Sequence, residues 1–355
     1  MSYTYNIYER TLHFRNPAGT SRGTYLTRHS WYVELEHGRC RGVGECAPLP
    51  DLSCDAMPHD DYEATLRGFC EEFCRTGVVP AGLADYPSML FGLETALSQV
   101  ARRGSLALFD TPFSRGEVGI TINGLVWMGT FDEMYHRIEE KLKAGFRCVK
   151  LKIGAIDWQK EIELISFVRS CFGKEQIELR VDANGGFAND EAMKRLEQLS
   201  RFDIHSIEQP IRQKQWKEMG ELCRHSPIPI ALDEELIGVN SADRKAELLE
   251  TIRPQYIVLK PSLHGGMSGC EQWVDLSRQM GIGSWITSAL ESNVGLNAVA
   301  QLTAKIYMDK EQQEGCGETA MMPQGLGTGQ LFTDNIEMPL QIVGDKLWFR
   351  AGKEA

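Results

Sequence analysis

CVKLKIG (148–154), LRVDANGGF (179–187), HSIEQPI (205–211), PIALDEEL (229–236) and IVLKPSLHGG (257–266) each run from apolar strand formers into one ionisable side chain. Those side chains are Lys152, Asp182, Glu208, Asp233 and Lys260, spaced 30, 26, 25 and 27 residues apart. A strand, a helix and two connections take roughly 25 to 30 residues, the length of one βαβ repeat. Five such units bring their ionisable groups to one face of a (β/α)8-type barrel, the C-terminal face on which barrel enzymes carry out their chemistry. Three acids between two lysines point to a divalent-metal site flanked by two proton-transfer groups.

Strand parity gives an independent reading, because alternate residues of a barrel strand point inward. Lys150 and Lys152 share one face and Val149 and Leu151 the other; Arg180 and Asp182 lie opposite Leu179 and Val181; Lys260 lies opposite Leu259 and Ile257. The apolar sets can pack on helices, whereas inward polar groups are costly unless they have a task. Solvated strand ends would account for one such group but not for five at a common spacing. Asp182, Glu208 and Asp233 are hard oxygen donors that suit Mg2+, or Mn2+ in its place. Asp233 is followed by Glu234 and Glu235, so Glu234 rivals it as third ligand. His205 has the opposite parity from Glu208, which disfavours a zinc hydrolase. Two lysines beside a metal fit removal of a proton next to a carboxylate: the ion stabilises the enediolate, and cationic neighbours lower the lysine pKa.

The rest of the chain is read outward from this series. A barrel of about 250 residues leaves an N-terminal remainder in a chain of 355. Strand-like alternation followed by helical periodicity predicts an α+β capping domain over residues 1–110, with helices near 58–77 and 87–103. The barrel is expected over 115–325, with ITINGLVW as its opening strand. The tail, about 330–355, is expected to form a hairpin turning at Gly344–Asp345 and to return to the cap. GLGTG reads as a tight turn because it lacks the Lys-Ser/Thr ending of a phosphate loop. NPAGTSRGTY (16–25) reads as an exposed turn or a lid.

A net charge of −11 disfavours nucleic acid and anionic membranes, yet leaves room for a small anionic carboxylate bound by local positive charge. The ten cysteines include no CxxC pair and suit a reducing compartment. No long apolar run marks a signal peptide or a membrane span, so a cytoplasmic location is expected. The sequence does not specify an oligomeric state.

The combination of K-x-K at Lys150 and Lys152, Asp182 in VDAN, Glu208 in IEQP, Asp233 in LDEE and Lys260 in VLKPS resembles the enolase superfamily, in its muconate-lactonising subgroup. The resemblance implies Mg2+, a barrel and a cap that closes over the substrate. SWITSALESNVGLNAVAQLTA (284–304), QGLGTGQLFTDN (324–335) and Arg180 further resemble the o-succinylbenzoate synthase family of menaquinone biosynthesis. These lyases dehydrate 2-succinyl-6-hydroxy-2,4-cyclohexadiene-1-carboxylate to o-succinylbenzoate through an enediolate. The resemblance implies Lys152 as base and then acid, with Lys260 as a stabilising cation on the opposite face. Lys150 would hold down the pKa of Lys152, Arg180 would orient groups near it, and Ser288 would bind or support the substrate.

The rival within the superfamily is a dipeptide epimerase or N-acylamino acid racemase. Dipeptide epimerases carry an acidic D-x-D on the eighth strand. The stretch taken as its counterpart here, GCGETAMMP, has a lone Glu318. A barrel that only binds a carboxylate would not need lysines on both faces.

Overall fold

The computed structural model describes residues 2–20, 23–126, 130–154, 157–308 and 321–350. The N-terminal part is an antiparallel sheet, β1 (Tyr3–Thr20), β2 (Gly23–His37) and β3 (Cys40–Cys46), covered by α1 (His59–Thr76) and α2 (Pro87–Ala101). The β1–β2 register slips between His13 and Ala18, where Pro17 has no N–H for the ladder. β3 lies very close to α2. A Cβ on Gly44 would sit 1.7 Å from the carbonyl oxygen of Gly92, so that contact requires glycine.

The barrel strands are β5 (Gly124–Val126), β6 (Cys148–Lys152), β7 (Glu178–Asp182), β8 (Ser206–Glu208), β9 (Ile230–Leu232), β10 (Tyr256–Leu259) and β11 (Gly283–Ile286). They form one parallel sheet in sequential order. α3 (Phe131–Lys143), α4 (Trp158–Cys171), α5 (Asn189–Leu199), α6 (Trp216–His225), α7 (Ala242–Ile252) and α8 (Gly266–Gln279) connect successive strands, and α9 (Asn293–Met308) follows β11. The outward residues Val149, Leu151, Leu179, Val181, Ile207, Ile257 and Leu259 join the main core with the helices. Inside the ring a separate cluster of Ala231, Val258 and Trp285 plugs the barrel.

Three expectations change. ITINGLVW is two short strands: β4 (Ile120–Thr121) belongs to another sheet, and only β5 belongs to the barrel. The eighth barrel position is taken by Gln324–Gly325, bridged in parallel to Ile122 on one side and Thr287 on the other. It is therefore downstream of GCGETAMMP, most of which, with Glu318, lies outside the described residues. The tail divides: residues 331–334 bond to β1 through Arg15 N–Leu331 O (2.7 Å) and Thr333 N–His13 O (2.9 Å). The hairpin β12 (Leu340–Val343) and β13 (Lys346–Phe349), with its Gly344–Asp345 turn, instead pairs with β4.

Cap and barrel are joined by buried charge. The Glu45 carboxylate accepts from Ser30 Oγ (2.9 Å), from Ser292 N and Gly295 N (both 2.9 Å), and from Ser292 Oγ. Two of these donors are free N–H groups at the start of α9, where negative charge is favoured. Glu94 on α2 caps α8 in the same way, accepting from Met267 N (2.5 Å) and Ser268 N (3.3 Å). Glu45→Ala would leave several buried donors unsatisfied, and we expect it to cost about 3 kcal/mol. Chemical denaturation of the intact chain checks this; a loss of less than about 1 kcal/mol would mean that the carboxylate does not hold the cap to the barrel.

Candidate active site

Strand register brings the site together. Lys152, Asp182 and Glu208 are direct cross-strand neighbours on β6, β7 and β8, and Lys150, Arg180 and Ser206 form the adjoining row. Asp233 follows β9 and Lys260 follows β10. β6 and β10 are separated by three strands on one side, and by β11, Gln324–Gly325 and β5 on the other. The two lysines thus rise from opposite walls of the mouth.

Lys150 Nζ bridges Glu208 Oε2 (2.6 Å) and Asp182 Oδ2 (2.9 Å). Lys152 Nζ donates to Asn184 Oδ1 (2.9 Å) and stands 3.6 Å from Asp182 Oδ2. Lys260 Nζ pairs with Asp233 Oδ2. Asn184, at φ 44°, also donates to Glu234 Oε1 (3.1 Å) and so links Lys152 to the fourth carboxylate. Gln209, at φ 41°, holds the loop after β9: its Oε1 accepts from Asp233 N and Glu235 N, both at 3.2 Å.

The carboxylates are buried: Asp182, Glu208, Asp233 and Glu234 are all under 5% exposed. Burial opposes charge on Asp182, but Lys150 and Lys152 overcome it and hold the carboxyl below its usual range. Burial and the neighbouring Asp182 push Glu208 the other way, well above the carboxylate range. Burial works against the charge on Lys260, and Asp233, Glu234 and Glu208 outweigh it to raise its pKa. The acids therefore compete for too little positive charge. Glu208 Oε1, Asp233 Oδ1 and Glu234 Oε2 are buried without a hydrogen-bond partner. Unpaired carboxylate oxygens in one barrel mouth suit a hard divalent cation, although among the described residues these acids do not gather into a set of three whose ligand atoms all lie within 4.8 Å of one another.

The remaining predicted residues sit around this centre. Arg180 is buried beneath the mouth, with Nε on Glu178 (2.7 Å), Nη1 on the Pro323 carbonyl (2.9 Å) and its guanidinium 4.3 Å from the Trp285 ring centre. These contacts make it part of the barrel plug rather than an arm reaching toward Lys152. Ser288 lines the cavity, and its hydroxyl donates to Glu291 Oε2 (2.7 Å). Sequence reasoning missed Asn184 and Gln209 as participants. Their signal was present: Asn184 stands two residues beyond Asp182, and Gln209 directly follows Glu208.

The mouth opens into a cavity of about 120 Å3. Its floor is charged, while Tyr25, Leu49 and Leu52 of the cap, with Leu125 and Leu290, make an apolar wall. Tyr25, near the start of β2, lines the cavity; of the segment 16–25 read as an exposed turn or a lid, residues 21 and 22 lie outside the described residues. Residues Leu326–Gln330, at the mouth end of the eighth strand, carry no carboxylate. GLGTG runs from the closing strand into a short 3-10 turn over Gly327–Gln330. A Cβ on Gly325 would sit 2.1 Å from Thr287 Oγ1, so the closing strand fits only with glycine there.

Residues 133–337 match the enolase C-terminal domain-like family, and residues 4–100 match the N-terminal domain of MenC. The o-succinylbenzoate synthase of Desulfotalea psychrophila is 44% identical, over 94% of this chain and 95% of that protein. The enzyme of the same name from Yersinia enterocolitica is 27% identical over 78% of each. The crystal structure of MenC from Desulfotalea psychrophila superposes with a TM-score of 0.81 at 39% identity, covering 98% of this chain and 100% of that one. A dipeptide epimerase from Enterococcus faecalis, complexed with Mg and L-Leu-L-Tyr, gives a TM-score of 0.80 at 17% identity over 99% and 98%, a likeness of fold alone. The chain belongs to the enolase superfamily and, within it, to the o-succinylbenzoate synthase family.

Proposed function

We propose that the chain is a Mg2+-dependent hydro-lyase that converts 2-succinyl-6-hydroxy-2,4-cyclohexadiene-1-carboxylate to o-succinylbenzoate for menaquinone biosynthesis. The observation that carries the mechanism is the placement of Lys152 and Lys260 on opposite walls of one carboxylate cluster. Asp182, Glu208 and Asp233 would hold the ion, with Glu234 the competing third ligand because its Oε2 is also unpaired. When bound, Mg2+ supplies positive charge to the substrate carboxylate as the neighbouring carbon loses its proton.

Lys152 removes that proton, breaking the C–H bond. The electron pair passes through the enediolate and expels the ring hydroxyl. The same ammonium returns the proton, so the hydroxyl leaves as water and the ring becomes aromatic. Lys260, from the other wall, faces the developing negative charge as a fixed cation. Asn184 positions Lys152 through its 2.9 Å hydrogen bond. The apolar wall from Tyr25 to Leu290 suits the hydrocarbon ring. A small-molecule enzyme of this kind would work in the cytoplasm; among the described residues no helix is long and apolar enough to cross a membrane.

A dipeptide would bring an ammonium group to a mouth whose eighth strand ends in Leu326-Gly327-Thr328, without an acid to receive it. A buried, unpaired charge costs several kcal/mol. We expect kcat/KM for dehydration to exceed that for epimerisation of any dipeptide on the same preparation. A dipeptide favoured tenfold would assign the chain to the epimerases instead. Lys152→Ala should lower dehydration by about 10^3-fold or more, and Lys152→Arg should fail too, because guanidinium does not give up its proton. Near-normal turnover in either variant would take Lys152 out of the reaction.

The third ligand is decided by affinity. Asp233→Asn should weaken Mg2+ binding by at least about tenfold, measured calorimetrically on metal-stripped protein, and Glu234→Gln should weaken it less. The reverse order would make Glu234 the ligand.

A further inference from the structure

A second cluster of ligating groups lies in the cap, away from the barrel mouth. Glu9 on β1 and His29 on β2 are diagonal neighbours across the ladder, since Glu9 faces Trp31 and Thr11 faces His29. His59, the first residue of α1, comes down over the same face. Glu9 Oε2 lies 2.6 Å from His59 Nε2 and 3.1 Å from His29 Nε2. One ligand atom from each of the three residues falls within 4.8 Å of the others.

The outer nitrogens are already engaged. Nδ1 of His29 is 3.1 Å from Thr11 Oγ1, and Nδ1 of His59 is 2.9 Å from Asp60 Oδ1. The Asp60 carboxylate can only accept, so it calls for a proton on His59 Nδ1, and the Thr11 hydroxyl can accept from His29 Nδ1; with Nδ1 protonated, Nε2 is the nitrogen left to bind a metal, the arrangement usual behind metal-bound histidine. His29 Nε2, although 3.1 Å from Glu9, is buried and makes no aligned hydrogen bond. An ordinary ion-paired cluster would satisfy that nitrogen.

We infer that Glu9, His29 and His59 form a site for a late divalent transition metal such as Zn2+, with solvent completing a tetrahedron. Two imidazoles and one carboxylate suit zinc and not magnesium. Metal bonds of about 2.0–2.2 Å would set the ligand atoms roughly 3.4 Å apart, so Glu9 need move only slightly from each imidazole, now 2.6 and 3.1 Å away. A cavity lined by His29, Trp31, Met57 and His59 adjoins the cluster and gives the ion access to solvent. The site would tie the β1–β2 hairpin to the start of α1. Tyr25, which covers the barrel mouth, is on the same strand as His29.

The test uses the full chain with Mg2+ in millimolar excess, titrated with Zn2+ by calorimetry and with Cu2+ by pulsed electron paramagnetic resonance. The expected result is one additional ion per chain with two imidazole nitrogens coupled to it. His29→Ala and His59→Ala should abolish that nitrogen signal while dehydration under Mg2+ persists. Asp60→Asn, at a fully exposed position that leaves folding intact, should weaken binding roughly tenfold. No nitrogen coupling in the unaltered chain, or a signal unchanged in the histidine variants, overturns the assignment.

Discussion

Four carboxylates crowded into the mouth of a barrel cannot all remain charged and dry without nearby cations, and this constraint organises the molecule. Lys150 meets part of it by bridging Asp182 and Glu208, and Lys260 meets another part at Asp233. What remains unpaired is directional: single oxygens of Glu208, Asp233 and Glu234. Burial makes that remainder expensive, and a divalent ion bound there would relieve the expense. The same low-dielectric setting would strengthen the field of Lys152 and Lys260 on a substrate held between them, as proposed above.

The cap meets a similar problem with different means. Glu45 and Glu94 are drawn into the interface by the free N–H groups that begin α9 and α8. Arg28 completes the arrangement by donating to Pro48 O at 2.5 Å and to Ala47 O, and to Leu290 O at 3.2 Å. One side chain therefore fastens the loop that carries Leu49 to the barrel residue opposite it in the cavity wall. The cap is thus held against the barrel mouth by fixed charge and hydrogen bonding as well as apolar packing.

The barrel series was legible because its signal is periodic. Lys152, Asp182, Glu208, Asp233 and Lys260 each end an apolar strand, and parity fixed which way they point. What escaped was set by events that no period records. Ile122 and Asn123 break ITINGLVW because Ile122 bridges to Gln324 while β4 turns away to β13. The eighth strand could not be located because two residues are too short to show alternation. Asn184 and Gln209 act through left-handed backbone conformations, which sequence marks only weakly. The Glu9, His29 and His59 cluster depends on a strand register and a helix start that meet only in three dimensions.

The seam at Gln324–Gly325 has a consequence for how the chain is made. Its backbone partners, Thr121, Asn123 and Ile286, lie on both flanks of an otherwise open sheet. Ile122 and Gln324 are separated by about two hundred residues, so the ring stays open until that length of chain has been made. During that interval β5 and β11 are exposed edges, each able to pair with a neighbouring nascent chain. The shortest strand in the barrel is thus the one whose late arrival ends the period of greatest risk of misassembly.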